Sequence, residues 1–188
     1  MKKVSVILAD GFEEVEALTV VDLLRRARIY VDTVSITEEY TVHGSHGIHV
    51  QTEDLFEEVN FVDSDMVVLP GGMPGTTNLD AHAGVRRVLK DFADEGKWIG
   101  AICAAPTVLS NMGLLKGKRA TCYPAMEPQI QGAALTGASV TVDGNIVTSR
   151  GVGTAIDFAL KLIEVLVGKD KSNEIAESIV YEAKHKGY

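Results

Sequence analysis

The chain has 188 residues, 46% of them hydrophobic and 23% charged, with a formal net charge of −8. That length holds one sizeable core and is short for two, so one domain over residues 1–188 is expected. The acidic balance excludes the basic stripe that a nucleic-acid surface needs. No apolar run approaches the roughly 18 residues of a membrane span. Met1-Lys2-Lys3 leads directly into a strand, without the apolar stretch and cleavage pattern of a signal peptide. Two cysteines, Cys103 and Cys122, make no disulfide framework, and a cytoplasmic location is expected.

Val4–Leu8 is a buried-strand run that breaks at Asp10-Gly11-Phe12. From Glu13 to Ala27, Val15, Leu18, Val21 and Leu24 recur at helical spacing, and Tyr30–Ile36 returns to strand character. This βαβ unit implies a parallel sheet with right-handed crossovers. Thr41–Val50, with Gly44 and Gly47, reads as a hairpin excursion. Met66–Leu69 is the next buried strand, followed by the glycine-rich loop Pro70–Gly75; no Gly-Lys-Ser/Thr follows, so this is not a Walker loop. Ala83–Glu95 is helical and stops at Gly96. Trp98–Ile102 is a strand, Arg119–Tyr123 a short strand candidate, and Asp143-Gly144 joins Ser139–Val142 to Asn145–Ser149 in a hairpin. Thr154–Val167 is strongly amphipathic, and Lys171–Lys184 reads as a last helix. The order predicts an open α/β sheet with helices on both faces. Ligands of such sheets bind beyond the carboxyl ends of the strands, where Ala9–Glu16, Pro70–Gly75 and Cys103–Pro106 all lie.

Ala101-Ile102-Cys103-Ala104-Ala105-Pro106 carries the chemistry. A nucleophile between small neighbours at a strand-to-helix corner has the layout of a nucleophile elbow, and the helix dipole behind it favours thiolate. The plainer reading of Cys103 is a small buried hydrophobe. The Ala104 N–H and an N–H of the Leu69-Pro70-Gly71-Gly72 turn are candidates for an oxyanion hole, though Pro-Gly also marks an ordinary turn. Glu13 and Glu14 complement the helix dipole. Glu16 is either one more such charge or a protonated carboxyl donating to the sulfur. No histidine stands between the elbow and His185, so a Cys-His pair is missing. His43, His46 and His49 alternate across the hairpin, a poor metal trio; they are expected to face solvent, and no metal or cofactor is expected.

Val6-Ile7-Leu8-Ala9-Asp10-Gly11-Phe12-Glu13-Glu14-Val15-Glu16, Val67-Val68-Leu69-Pro70-Gly71-Gly72, Ala101–Pro106 and Thr148-Ser149-Arg150-Gly151-Val152-Gly153-Thr154, in this order, resemble the ThiJ/PfpI superfamily. The similarity is to the branch of the Parkinsonism-associated protein deglycase and its bacterial homologues. It implies a flavodoxin-like three-layer sandwich, a homodimer and no cofactor. It makes Cys103 a low-pKa nucleophile, Glu16 its protonated partner, and Gly72 and Ala104 the backbone donors, with Gly71, Tyr123 and Arg150 around the pocket. The implied activity is a hydrolase or lyase acting on a small dicarbonyl or its early glycation adducts: deglycation, or conversion of methylglyoxal to lactate without glutathione. The alternative is a redox-sensing stress protein or chaperone in which Cys103 is oxidised to sulfinate. Some relatives carry a histidine where Tyr123 stands, and a phenol is a poor base near neutral pH. Proton transfer would then fall to Glu16 or water, and a cysteine peptidase is disfavoured.

Overall fold

A computed structural model of the chain describes residues 1–182. A seven-stranded sheet runs through its centre in the order β10-β11-β7-β6-β1-β2-β5. Its members are β1 (Lys3–Leu8), β2 (Tyr30–Ser35), β5 (Asp54–Leu55), β6 (Met66–Leu69), β7 (Trp98–Ile102), β10 (Val140–Asp143) and β11 (Ile146–Ser149). All neighbours pair in parallel except β10 with β11. The helices are α1 (Glu14–Arg26), α2 (Gly75–Ala81), α3 (Ala83–Glu95), α4 (Pro106–Asn111), α5 (Ala155–Val167) and α6 (Lys169–Ser178). Two small ribbons lie outside the sheet, β3 (Thr41–His43) with β4 (His49–Gln51), and β8 (Arg119–Ala120) with β9 (Ala134–Leu135).

Strand periodicity divides the core. Val4, Val6 and Leu8 of β1 face Val20 and Leu24 of α1 and Phe158 and Leu162 of α5. Ile7, with Val67, Leu69 and Ile99, faces Val85, Leu89 and Phe92 of α3 and Leu109 of α4. Each such fully buried aliphatic or aromatic side chain stabilises the fold by about 1.5–3 kcal/mol. The result is the three-layer, mostly parallel sandwich expected from the sequence.

After β1 the chain winds outward to β2; after the hairpin it returns to β6 on the other side of β1. Strand order therefore reverses between β1 and β6. The loops leaving these two strands part at that point and open a crevice at their carboxyl ends.

Several elements depart from the sequence reading. The α2 helix was missed because Gly75, Thr76 and Thr77 are weak helix formers without a side-chain cap. It is held from outside: Asn78 donates to the Asp10 carbonyl at 2.9 Å, and Leu79 is fully buried. The Arg119–Tyr123 strand shortens to Arg119–Ala120, because the Tyr123 N–H turns away to the Cys103 carbonyl at 2.9 Å. The last helix runs from Lys169 to Ser178 rather than Lys171–Lys184, and residues 183 and 184 of that span lie outside the described residues. No helix among the described residues is long and apolar enough to cross a membrane.

Candidate active site

The three loops named from the sequence meet in this crevice. Cys103 follows β7 directly with φ +64°, a left-handed backbone that non-glycine residues rarely adopt. Its N–H donates to the Ser149 carbonyl at 3.0 Å and its carbonyl accepts from Tyr123, so both sides of the corner are tied down. The thiol thus stands off the sheet toward the cleft.

Glu16 reaches the sulfur from the first turn of α1. Glu13 is the N-cap of that helix and accepts the Glu16 N–H at 2.8 Å. The Glu16 side chain is fully buried, and its Oε2 accepts the Gly71 N–H at 2.8 Å. Its Oε1 has no hydrogen-bond partner. A Cβ placed on Gly151 would lie 3.8 Å from this Oε1 and 3.9 Å from Cys103 Sγ, so Gly151 sits in van der Waals reach of both atoms. Gly71 is required on the opposite side, where a Cβ would fall 2.5 Å from the Cys103 Cβ and 2.8 Å from Glu16 Oε2. Gly72, at φ +89°, turns its amide to the sulfur, as Ala104 does.

Burial pushes Glu16 up to about 7, against the Gly71 hydrogen bond and the nearby Cys103 thiol. With Glu16 ionised, burial and then that negative charge push the Cys103 thiol up to about 12, against the Ala104 and Gly72 amides. Burial therefore opposes the helix dipole expected to favour thiolate. The helix behind the sulfur, α4, has only six residues. The pair holds two protons below about pH 7 and one from there to about 12.

This proton count predicts a pH dependence. In the unfolded chain Glu16 loses its proton near its ordinary 4.5, whereas the folded pair keeps both until about 7. The folded state binds the extra proton in that window, so stability falls as pH rises from 4.5 to 7, by roughly 3 kcal/mol from this group. Denaturant midpoints of wild type and Glu16→Gln, taken at half-unit steps, should diverge across the window. Parallel curves would remove the raised carboxyl.

A cleft of about 810 Å³ opens over the sulfur. Tyr123, Arg150 and Gly151 line one side, and Glu13, Glu16 and Gly72 the other. Arg150 donates to the Gly137 carbonyl at 2.9 Å and lies 3.6 Å from Glu127, so it is already engaged. Cys122 is fully buried with its thiol directed to the Tyr123 carbonyl at 3.4 Å, and burial raises it to about 11. It is a packing thiol.

Sequence reasoning missed Glu14 and His46. Glu14 is not merely a charge for the helix dipole: it is 1% exposed and accepts the His46 N–H at 2.6 Å. His46 is not a remote hairpin residue either. It sits at the tip between β3 and β4 and lines the cleft together with Ser45. His43 and His49 do share a face, stacked at 4.3 Å across the ribbon.

Comparison with known proteins finds relatives along nearly the whole chain. The model of the DJ-1/PfpI family matches residues 2–165. Protein dj-1beta of Drosophila melanogaster is 39% identical, over 95% of this chain and 97% of its own length. The glutathione-independent glyoxalase DJ-1 of Schizosaccharomyces pombe is 32% identical, over 95% and 98%. Among solved structures, oxidized Toxoplasma gondii DJ-1 superposes with a TM-score of 0.94 at 38% identity, covering 97% of this chain and 100% of that one.

Proposed function

The chain belongs to the DJ-1/PfpI family, and from that premise we propose that it is a cofactor-free enzyme converting small reactive dicarbonyls, or their early adducts with amines, to hydroxy acids. One observation carries the reading. A buried carboxylate with an unpartnered oxygen is costly, whereas the same Oε1 carrying a proton and donating to Sγ is satisfied. The single negative charge of the pair then sits on sulfur, in front of the Gly72 and Ala104 amides.

The thiolate attacks the aldehyde carbon and forms the S–C bond, and the electron pair of the carbonyl moves to oxygen. The Gly72 and Ala104 amides, which stabilise the sulfur anion beforehand, take up this oxyanion, and Glu16 protonates it. Glu16, now a carboxylate, removes the proton of the attacked carbon and returns it to the neighbouring carbon, while the hydroxyl proton on the attacked carbon is transferred to the neighbouring oxygen. The product is a thioester of a hydroxy acid. Water cleaves it, releases the acid and restores the thiol. One dicarbonyl and one water give one hydroxy acid, and no oxidant or reductant is consumed. The sole named glyoxalase quoted above has its activity stated for the fission-yeast relative; its transfer to this chain belongs to the proposal.

Wild type is expected to form lactate from methylglyoxal, and Cys103→Ser to form none above the uncatalysed rate. A glycated amino acid assayed in parallel tells adduct hydrolysis from action on the free dicarbonyl. Equal turnover by Cys103→Ser would overturn the assignment. Peroxide-dependent oxidation of Cys103 without any turnover would favour the redox-sensing role. A homodimer is part of the proposal, supported by Val15 and Leu18, exposed one turn apart on α1.

A further inference from the structure

We propose that His46 is the general acid of this site, donating its Nε2 proton to the oxygen on the substrate carbon next to the one Cys103 attacks, with Glu14 as the carboxylate that orients its ring. The inference rests on the dicarbonyl reading and supplies a group which that reading lacks. When the attacked carbon gives up its proton, the neighbouring ketone oxygen must gain one to form the enediol. Glu16 is accepting a proton at that moment and has none to donate. The Tyr123 hydroxyl lines the same cleft but has no hydrogen bond among the described residues to orient it. His46 is the imidazole lining the same cleft as Cys103 and Glu16.

The ring is set as an oriented acid requires. His46 Nδ1 lies 2.8 Å from Glu14 Oε2, 3.1 Å from Ser45 Oγ and 3.6 Å from Glu13 Oε1. With Nδ1–H directed at Glu14, the Nε2–H of the imidazolium is the outward donor. Once that proton is given up, Nε2 accepts the hydroxyl proton of the attacked carbon as the thioester forms, which restores the acid. The hydrogen bond to Glu14 raises the His46 pKa, while the same contacts hold Glu14 down at about 2, so the carboxylate stays charged. The charged or titratable groups facing the ring are Glu13 and Glu14 from α1, with Glu16, Cys103 and Arg150 across the cleft.

The His46 side chain is 69% exposed, but its backbone is fixed. The Gly11 N–H donates to the His43 carbonyl at 2.7 Å, and the Ser45 N–H to the Phe12 carbonyl at 2.8 Å. Asp10 accepts the His43 N–H at 2.8 Å. At Gly44 the chain closes so tightly on Glu14 that a Cβ would fall 2.2 Å from its Oε1. The hairpin tip is therefore stitched to the loop that carries Glu13 and Glu16, and His46 keeps its place at the rim.

The test is the pH profile of lactate formation from methylglyoxal. His46→Gln should lower kcat by ~100-fold, with KM changed less than about threefold, and should abolish the alkaline limb seen in wild type. Glu14→Gln should move that limb to lower pH, since the contact that raises the imidazole is gone. Alkylation of Cys103 by iodoacetamide should proceed at the wild-type rate in His46→Gln, showing the nucleophile intact. A His46→Gln profile identical to wild type would overturn the acid while leaving the dicarbonyl reading in place. Absence of lactate from wild type would sink both. The donor atoms of Glu13, Glu14 and His46 lie within 4.8 Å of one another; loss of wild-type turnover in EDTA would make His46 a metal ligand and likewise overturn the acid.

Discussion

Glu16→Gln should lose dicarbonyl turnover by ~100- to 10,000-fold, the range general acid–base help supplies, and remain folded. Glutamine keeps the shape, and its carbonyl oxygen accepts the Gly71 N–H in place of Oε2. Its amide N–H still donates toward sulfur, so a reactive thiolate survives. What it cannot do is take a proton from carbon and return it. If Glu16 were only a charge at the start of α1, the change would cost a few tenths to about 1 kcal/mol of stability and leave catalysis intact. Lactate formation, iodoacetamide reactivity and the denaturation midpoint measured on one preparation separate the cases. Full turnover by Glu16→Gln would leave Cys103 without a proton partner and end the proposed mechanism.

Gly71→Ala should be nearly as damaging, for a steric reason. The added methyl would fall 2.5 Å from the Cys103 Cβ and 2.8 Å from Glu16 Oε2. Neither neighbour yields freely: Cys103 is tied through Ser149 and Tyr123, and Glu16 is held by the Gly71 amide itself. Relief requires the loop after β6 to move outward, which lengthens the amide–carboxylate bond and withdraws the Gly72 amide. Misplacement of about 1 Å costs on the order of 100-fold in rate. Turnover should therefore fall at least that far, with the cysteine less reactive as well. Wild-type activity in Gly71→Ala would show that the close approach is not needed.

The buried strands, α1, α3, α5 and the meeting of three loops were legible because each rests on local pattern. Val4–Leu8 and Met66–Leu69 are apolar on both faces, and Cys103 lies between small residues at a strand-to-helix corner. The role of His46 was not legible. Alternation assigns it a face of the hairpin, but the residue sits at the tip, and its direction is set by bonds from Phe12 and Glu14, more than thirty positions earlier. Glu14 shows the same limit: an acid in a first turn is ordinary, and only the fold buries it beneath the hairpin. The balance that sets the cysteine pKa is not local either. The sequence displays a dipole but not the depth of burial that opposes it.

The amide of Cys103 is held by Ser149, and the sulfur looks onto Gly151. During synthesis the nucleophile therefore emerges about 45 residues before the strand that completes its corner. Until β11 has docked beside β7, the Ser149 carbonyl does not hold the left-handed turn and the Gly151 wall of the cleft is missing, so the cysteine stands at an unfinished sheet edge. Reactivity in this chain is thus a late product of assembly: ribosome-bound chains arrested before residue 146 should label slowly at Cys103, and those extended past α5 at the mature rate.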